Sequence, residues 1–488
     1  ISLTRHPQIK RIANILHISI CYNCMNIHSL DMRKGTKKQD KATTQQSDLC
    51  RAISPIYYLG KVCGLIPVRF LAKSAGRYEA RIQIIDLVYS LCLLTFLFGA
   101  EIWGLWRDLK DGWEHSTRLK SRTAVIATCS DVLGVISLTV VCIIGSPFRW
   151  KYLQVVINKL IEVDEKVGVS SARKTRGFTI GLTVCSLGYL WFNSIVDFYT
   201  WSRKMKMSKS MSDKGPINYA PLYFMYTVII STEIQYTVST YNVGQRFVRL
   251  NKNLADDQKF NVARRQLEQS SYRIFPKLNG GFTLTNFRQS IAFRVHHNKF
   301  AAESRTNINS ISELITVHSS LCDMVSLINN AFGVVILAVA VTCLLHLVIT
   351  PYFLILQAGG RNEWIFLVVQ GMWCIFHVTR MLIIIQPSYF TLAEVRRKCR
   401  AVLVSQLLSS SFEGDARREL EIFSLQLLHR PLEFSACGLF SLDRTLITSI
   451  AGAVTTYLVI LIQFQNEDDT KEELSQQLSF VTFKLFDL

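Results

Sequence analysis

Three groups of residues in this sequence could do chemistry. The first is His17, Cys21, Cys24 and His28, a Cys-x-x-Cys pair with a histidine four positions outside each cysteine. Thiolates and imidazoles are the usual zinc donors, and a helix would bring His17 near Cys21 and Cys24 near His28. No second pair or surrounding zinc module supports the quartet, so neither a metal nor any other cofactor is expected. The second group interrupts strongly apolar runs: Glu101, Asp131, Trp191, Asn193, Asp197, Tyr219, Tyr223, Tyr226, His346, Thr350, Tyr352, Gln370 and Trp373. The third is Gln463, which follows the apolar "TYLVILI" and precedes Phe464 and the acidic "QNEDDTKEE". No nucleophile stands with a base and an orienting group, and there is no phosphate loop. An enzyme is not expected.

The elements that must position these residues are membrane helices. The chain has 488 residues, 49% of them hydrophobic, and a mean hydropathy of +0.22, above the range of a soluble domain. Crossing ~30 Å of hydrocarbon takes about 20 helical residues. Seven runs are long enough: 82–104, 123–145, 178–200, 218–242, 328–354, 364–386 and 444–464. The expected fold is an all-α membrane protein. It would comprise an N-terminal region 1–81, a six-helix bundle 82–386, a helical anchor region 387–443, the last span and a tail 465–488. Segment 243–327, weakly patterned, reads as a long loop whose ends extend the flanking helices. Residues 12–30 lack the compact apolar core and cleavage site of a signal peptide.

Lys and Arg orient the spans. The N-terminal region and the loops after spans two, four and six hold 14, 7, 12 and 7. The loops after spans one, three and five and the tail hold 5, 5, 1 and 2. The positive-inside rule puts the N-terminus in the cytosol and the C-terminus outside. None of the 13 cysteines falls in an outer loop or the tail, so extracellular disulfides are not expected. The basic residues are spread over several loops rather than gathered into an aromatic-interleaved module, which argues against nucleic acid. The cluster "RRKCR", Arg396–Arg400, reads as a mark of the cytosolic side, with lipid headgroups as the alternative partner.

With the direction set, the second group falls in the outer half of the membrane. Gln370 and Trp373 share a helix face, as do Tyr219, Tyr223 and Tyr226. Polar and aromatic groups at one depth, contributed by several helices, suit a small-ligand pocket. Its expected members are Asp131, Trp191, Asp197, Tyr223, His346, Thr350, Tyr352, Gln370 and Trp373. No Lys or Arg lies in the outer half of any span, so a carboxylate or phosphate would lack its usual partner. A neutral polyol fits, and an amine is a second possibility. On the inner side Arg380 is expected to pair with Glu233 or Asp86, or to reach toward the cytosol.

"TYLVILIQF", Thr456–Phe464, resembles the C-terminal signature of the insect gustatory receptor family: Thr-Tyr, five apolar residues, Gln-Phe. The runs 434–465 and 329–348 are similar to its fructose-sensing, sugar-receptor branch. The likeness covers about 55–465, and residues 1–50 and 466–488 do not resemble the family's usual short ends. The resemblance implies a sugar-gated, non-selective cation channel in the plasma membrane of sensory neurons. It implies four subunits, identical or mixed with related receptors, around one pore lined by the seventh helix. It also implies a ligand pocket, for fructose, in the outer half of each bundle, and a cytosolic helix over about 417–442. Gly452, Thr456, Ile460 and Gln463 are spaced by four, four and three, which is one helix face. The motif positions of Gln463 and Phe464 imply a constriction. Three rivals remain: a receptor of the same family for another tastant, such as a bitter compound; a G-protein-coupled receptor, disfavoured by the charge bias; and a transporter, for which related halves with broken helices are not found.

Overall fold

The structure, a computed structural model, describes residues 53–72, 77–110, 122–168, 172–207, 219–274, 284–357, 364–408 and 415–464. His17, Cys21, Cys24 and His28 lie outside them. The chain order is helix α1 (53–62), strands β1 (Val68–Ala72) and β2 (Tyr78–Ile82), then α2 (Ile84–Lys110), α3 (Arg122–Ile144), α4 (Ser146–Val167), α5 (Ala172–Met207), α6 (Ala220–Ile274) and α7 (Leu284–Gln357). There follow α8 (Trp364–Ala393), a π-helical turn (Glu394–Cys399), α9 (Arg400–Leu408), α10 (Asp415–His429), strands β3 (Ser435–Ala436) and β4 (Phe440–Ser441), and α11 (Arg444–Phe464).

All seven apolar runs are helical. Among the described residues, five helices are long and apolar enough to cross a membrane: Ile84–Arg107, Arg173–Arg203, Ile311–Ile355, Trp364–Leu408 and Arg444–Phe464. The second run reaches that mark only when α3 and α4 are taken together across a 53° bend. The fourth, in α6, is not among them: it carries several polar residues and is buried on nearly every side. A helix ringed by other helices can carry Ser231, Thr232, Glu233, Gln235 and Thr237, all buried, where a lipid-facing helix could not.

Two expectations change. Segment 243–327 is not a loop over most of its length: α6 runs on to Ile274, and α7 begins at Leu284. Between Gly244 and Pro276 the sequence has neither glycine nor proline, and the residues there are largely Lys, Arg, Gln, Glu, Asn and Ala. Several of these favour helix without supplying an apolar stripe. The expected helix over 417–442 ends at His429. Pro431 follows, and the chain then forms the β3–β4 hairpin, pairing Ala436 with Phe440. Its turn puts Cys437 at φ 53° and Gly438 at φ 72°, the left-handed pair that tight hairpins favour. The fold is thus helical with two small two-stranded hairpins.

Helix α7 is the scaffold, packed against α3, α4, α6, α8 and α10. The N-terminal hairpin is pinned by polar side chains. Asn158 accepts from Tyr78 N at 2.9 Å and donates to Tyr78 O at 2.9 Å, as a strand backbone would. Trp150 Nε1 donates to Leu65 O at 2.8 Å. Below the bundle, Arg246 of α6 grips Asp164 of α4 through two hydrogen bonds of 3.0 and 2.6 Å, with Asn242 as a further acceptor at 2.8 Å. Removing one partner of such a buried pair strands the other charge. Asp164→Ala should therefore cost about 3–5 kcal/mol, read as a lower Tm of the purified protein. An unchanged Tm would show that the pair does not hold α4 to α6.

Candidate functional site

Two helix faces meet at the centre of the bundle. On α6, Tyr223, Tyr226 and Glu233 are three and seven residues apart; on α8, Gln370, Trp373, His377 and Arg380 are three, four and three apart. Both spacings keep the residues on one face. The rings of Tyr223 and Trp373 stack with centroids 6.3 Å apart and planes at 13°, and Tyr226 lies 5.4 Å from Trp373. Phe376 closes the cluster, edge-on to Trp373 at 5.3 Å.

Polar groups enter from three other helices. Asp197 of α5 accepts from the Tyr223 hydroxyl at 2.7 Å. His346 of α7 stacks on His377 with centroids 4.2 Å apart and planes at 15°. The Nδ1 of His346 contacts the carboxylate of Asp131 on α3, and its Nε2 is 3.1 Å from the Tyr226 hydroxyl. Deeper in, Arg380 donates to Glu233 through Nε at 3.1 Å and Nη2 at 2.6 Å, and lies 3.3 Å from His377 Nδ1. Arginine can only donate, so His377 Nδ1 must accept, which keeps that imidazole neutral with its proton on Nε2. The contact with Asp131 assigns the Nδ1 proton to His346 in the same way. The result is an aromatic-walled site that holds two carboxylates, Asp131 and Asp197, beside a phenol and two imidazoles, with the charge of Arg380 neutralised by Glu233. A hydroxyl-rich neutral molecule could be held here; an anion would find its natural partner already engaged.

Asp131, Asp197, Tyr223, His346 and Trp373 are brought together as members of this network. Gln370 is half-buried on the face of Trp373. Thr350 and Tyr352 are buried further along α7, Tyr352 beside Phe353 at 5.5 Å. Trp191 faces elsewhere: it packs edge-on, at 5.1 Å, against Phe224, whose ring is exposed. Asp86 does not reach Arg380 and pairs instead with Lys61.

Helix α11 is built differently. Asp443 caps it, accepting from Thr445 N at 2.9 Å and from the Thr445 hydroxyl, and those hydrogen bonds hold its carboxyl below the usual carboxylate range. Arg444 lies 3.9 Å from the ring centroid of Tyr389 on α8. Leu446, Ile447 and Ile450 pack on the core. Beyond them, Gly452, Thr456, Ile460, Gln463 and Phe464 are all exposed, Phe464 by 57%, and none of the helix's most apolar stretch is buried within the chain.

The description "7tm Chemosensory receptor" belongs to a family whose sequence profile matches residues 53–467. The chain belongs to that family. Among its relatives, gustatory receptor for sugar taste 43a of Drosophila melanogaster is 29% identical over 84% of this chain and 97% of its own. Putative gustatory receptor 28a of the same fly is 24% identical over 89% and 96%. In fold the receptor is similar to the insect olfactory receptor OR5 of Machilis hrabei, at 15% identity. The TM-score is 0.56 over 84% of this chain and 97% of that one, and 0.59 over 86% and 99% for OR5 in complex with eugenol. The receptor is a multi-pass membrane protein.

Sequence reasoning missed His377 in this receptor. The signal was present: four residues past Trp373 and three before Arg380, it completes their face. A buried Arg380–Glu233 pair predicts an asymmetry between breaking and replacing it. Arg380→Met alone should lower stability by about 3–5 kcal/mol and reduce surface expression. Arg380→Met combined with Glu233→Met should recover most of that loss. Equal expression of the single and double variants would sink this assignment.

Proposed function

We propose that this receptor is a sugar-gated, non-selective cation channel of taste neurons, with fructose as its ligand and four copies of the chain around one pore. The observation that carries the reading is α11. Lipid would suit the apolar part of this helix, but Thr456 and Gln463, exposed on one face and not covered by the rest of the chain, are poorly placed against lipid, and copies of the helix around an axis would cover them. Small and polar Gly452, Thr456 and Gln463 would then face the pore with Ile460. A ring of Phe464 side chains would close it by excluding water.

On this reading the N-terminus is cytosolic, seven helices span the plasma membrane, and sugar enters the aromatic site from outside. Trp373 offers a ring face to sugar C–H groups, while the carboxylates of Asp131 and Asp197 accept hydrogen bonds from its hydroxyls. Binding opens the channel to the extent that sugar binds the open arrangement more tightly. The likeness to a gustatory receptor for sugar taste supports the choice of ligand class. The engagement of Arg380 by Glu233 agrees with a neutral ligand.

Whole-cell recording from cells expressing only this chain tests the proposal. Fructose should evoke a rapid cation current, and a response that requires G-protein signalling would overturn the channel. Trp373→Ala should raise the half-maximal sugar concentration about tenfold, equivalent to ~1.4 kcal/mol of binding, with the channel still reaching the surface. Phe464→Ala should raise the sugar-free current. Wild-type basal current together with a wild-type sugar response would remove Phe464 from the gate.

A further inference from the structure

Three arginines are buried among the described residues: Arg149 at 2% exposure, Arg246 at 3% and Arg380 at 1%. Two of them have carboxylates, Asp164 for Arg246 and Glu233 for Arg380. Arg149 has none among the described residues; the one ionisable neighbour acting on it is the thiol of Cys142. Its Nη2 donates to Cys142 O at 2.6 Å, and its Cζ lies 5.8 Å from the Phe332 ring centroid. Its Nε and Nη1 meet no acceptor among the described residues. A buried cation without a counter-charge is costly, and protein interiors answer the cost by pairing it or neutralising it. An arginine does not escape by losing its proton.

The surroundings supply two further features of one polarity. Arg149 sits in the first turn of the 22-residue α4, directly after the 53° bend, and that helix start has no side-chain cap. The hydroxyl of Ser146, itself 0% exposed, also lacks a hydrogen-bond partner among the described residues. Gly145 marks the corner, where the packing is tight: a Cβ there would come within 2.6 Å of Val141 O and 3.5 Å of Arg149 Nη1. Guanidinium N–H groups, a hydroxyl and the positive end of a helix thus gather around one glycine.

We propose that the α3–α4 corner binds a small inorganic anion, chloride, as the counter-ion of Arg149, held by its Nε and Nη1 with the hydroxyl of Ser146. A monoatomic halide suits a corner this enclosed, where the four oxygens of a phosphate would need more donors than it presents. The corner borders Phe332, whose neighbour Gly333 abuts the turn before α11: a Cβ on Gly333 would lie 3.0 Å from Cys437 N.

The test is thermal unfolding of the purified full-length receptor in chloride, bromide, gluconate or phosphate at constant ionic strength. Chloride and bromide should raise Tm along a saturating curve, as a ligand of the folded state does. Gluconate should not, and phosphate should do so only weakly. Arg149→Met should abolish the halide dependence, with a Tm in gluconate at or above that of the wild type, because the uncompensated charge is gone. Ser146→Ala should keep the dependence but raise the half-saturating halide concentration several-fold. The proposal is overturned if the wild-type Tm ignores halide, or if Arg149→Met responds as the wild type does. Stabilisation by phosphate below the effective chloride concentration overturns the choice of a monoatomic ion. Should Arg149→Met fail to fold, an unshifted halide curve for Ser146→Ala overturns the site.

Discussion

The bundle is organised around the ion pair of Arg380 and Glu233. Two full charges deep among apolar helices would be expensive singly, and together they are tolerable only with near-ideal geometry. That requirement sets the rotation of α8 against α6, since the guanidinium must present two N–H groups to one carboxylate. Once that rotation is set, Trp373 and His377 have no choice of direction. They face Tyr223, Tyr226 and His346, and the aromatic site follows. The pair also neutralises the charge of Arg380 beside that site. Rings, hydroxyls, imidazoles and the carboxylates of Asp131 and Asp197 remain, the surface that the proposed function assigns to a hydroxyl-bearing ligand.

The second constraint is the imbalance of α11. Every other apolar run buries a face against the chain, whereas α11 rests on it only at its base, through Leu446, Ile447, Ile450 and the contact of Arg444 with Tyr389. A helix anchored at one end and bare along the rest is poorly placed as part of a single subunit's core. In the proposed tetramer it would be the inner element, with its partners on other copies. Its composition agrees: the one polar-and-small face, Gly452 to Gln463, would be wasted on lipid.

Much of this was legible in the sequence. The seven runs, the chemosensory motif at Thr456–Phe464, and Asp131, Asp197, Tyr223, His346 and Trp373 could be seen, because each rests on local composition or on a signature. The pairing of Arg380 was legible only as a choice, since Glu233 and Asp86 were equivalent until Lys61 was seen to hold Asp86. His377 escaped because one histidine in an apolar run looks like any other; only the partner helix gives it meaning. Trp191 misled for the opposite reason, since an aromatic residue at the right depth can lie on either face of its helix. The extensions of α6 and α7 were legible only at their ends, because they carry no apolar stripe. Their helicity comes from propensity and from the absence of glycine and proline.

The span of α7 and the end of α8 join the two constraints. From His346, α7 runs back to Asn329, 17 residues or roughly 25 Å of continuous helix. The side-chain amide of Asn329 donates to Glu433 O at 2.8 Å and accepts from Ser435 N at 3.4 Å. From His377, α8 runs to the π-helical turn, whose Arg396 donates to Leu432 O at 3.3 Å, while the next residue past the turn, Arg400, donates to Leu427 O at 3.3 Å. The chain that leads into α11 is thus gripped by the two helices whose imidazoles stack in the candidate site. A π-turn adds a residue to the helical repeat and rotates the residues beyond it, so it decides which side chains of 396–400 meet that chain. If sugar alters the angle between α7 and α8 by acting on His346, His377 or Trp373, both grips shift together. The base of α11 then has no independent place to stay.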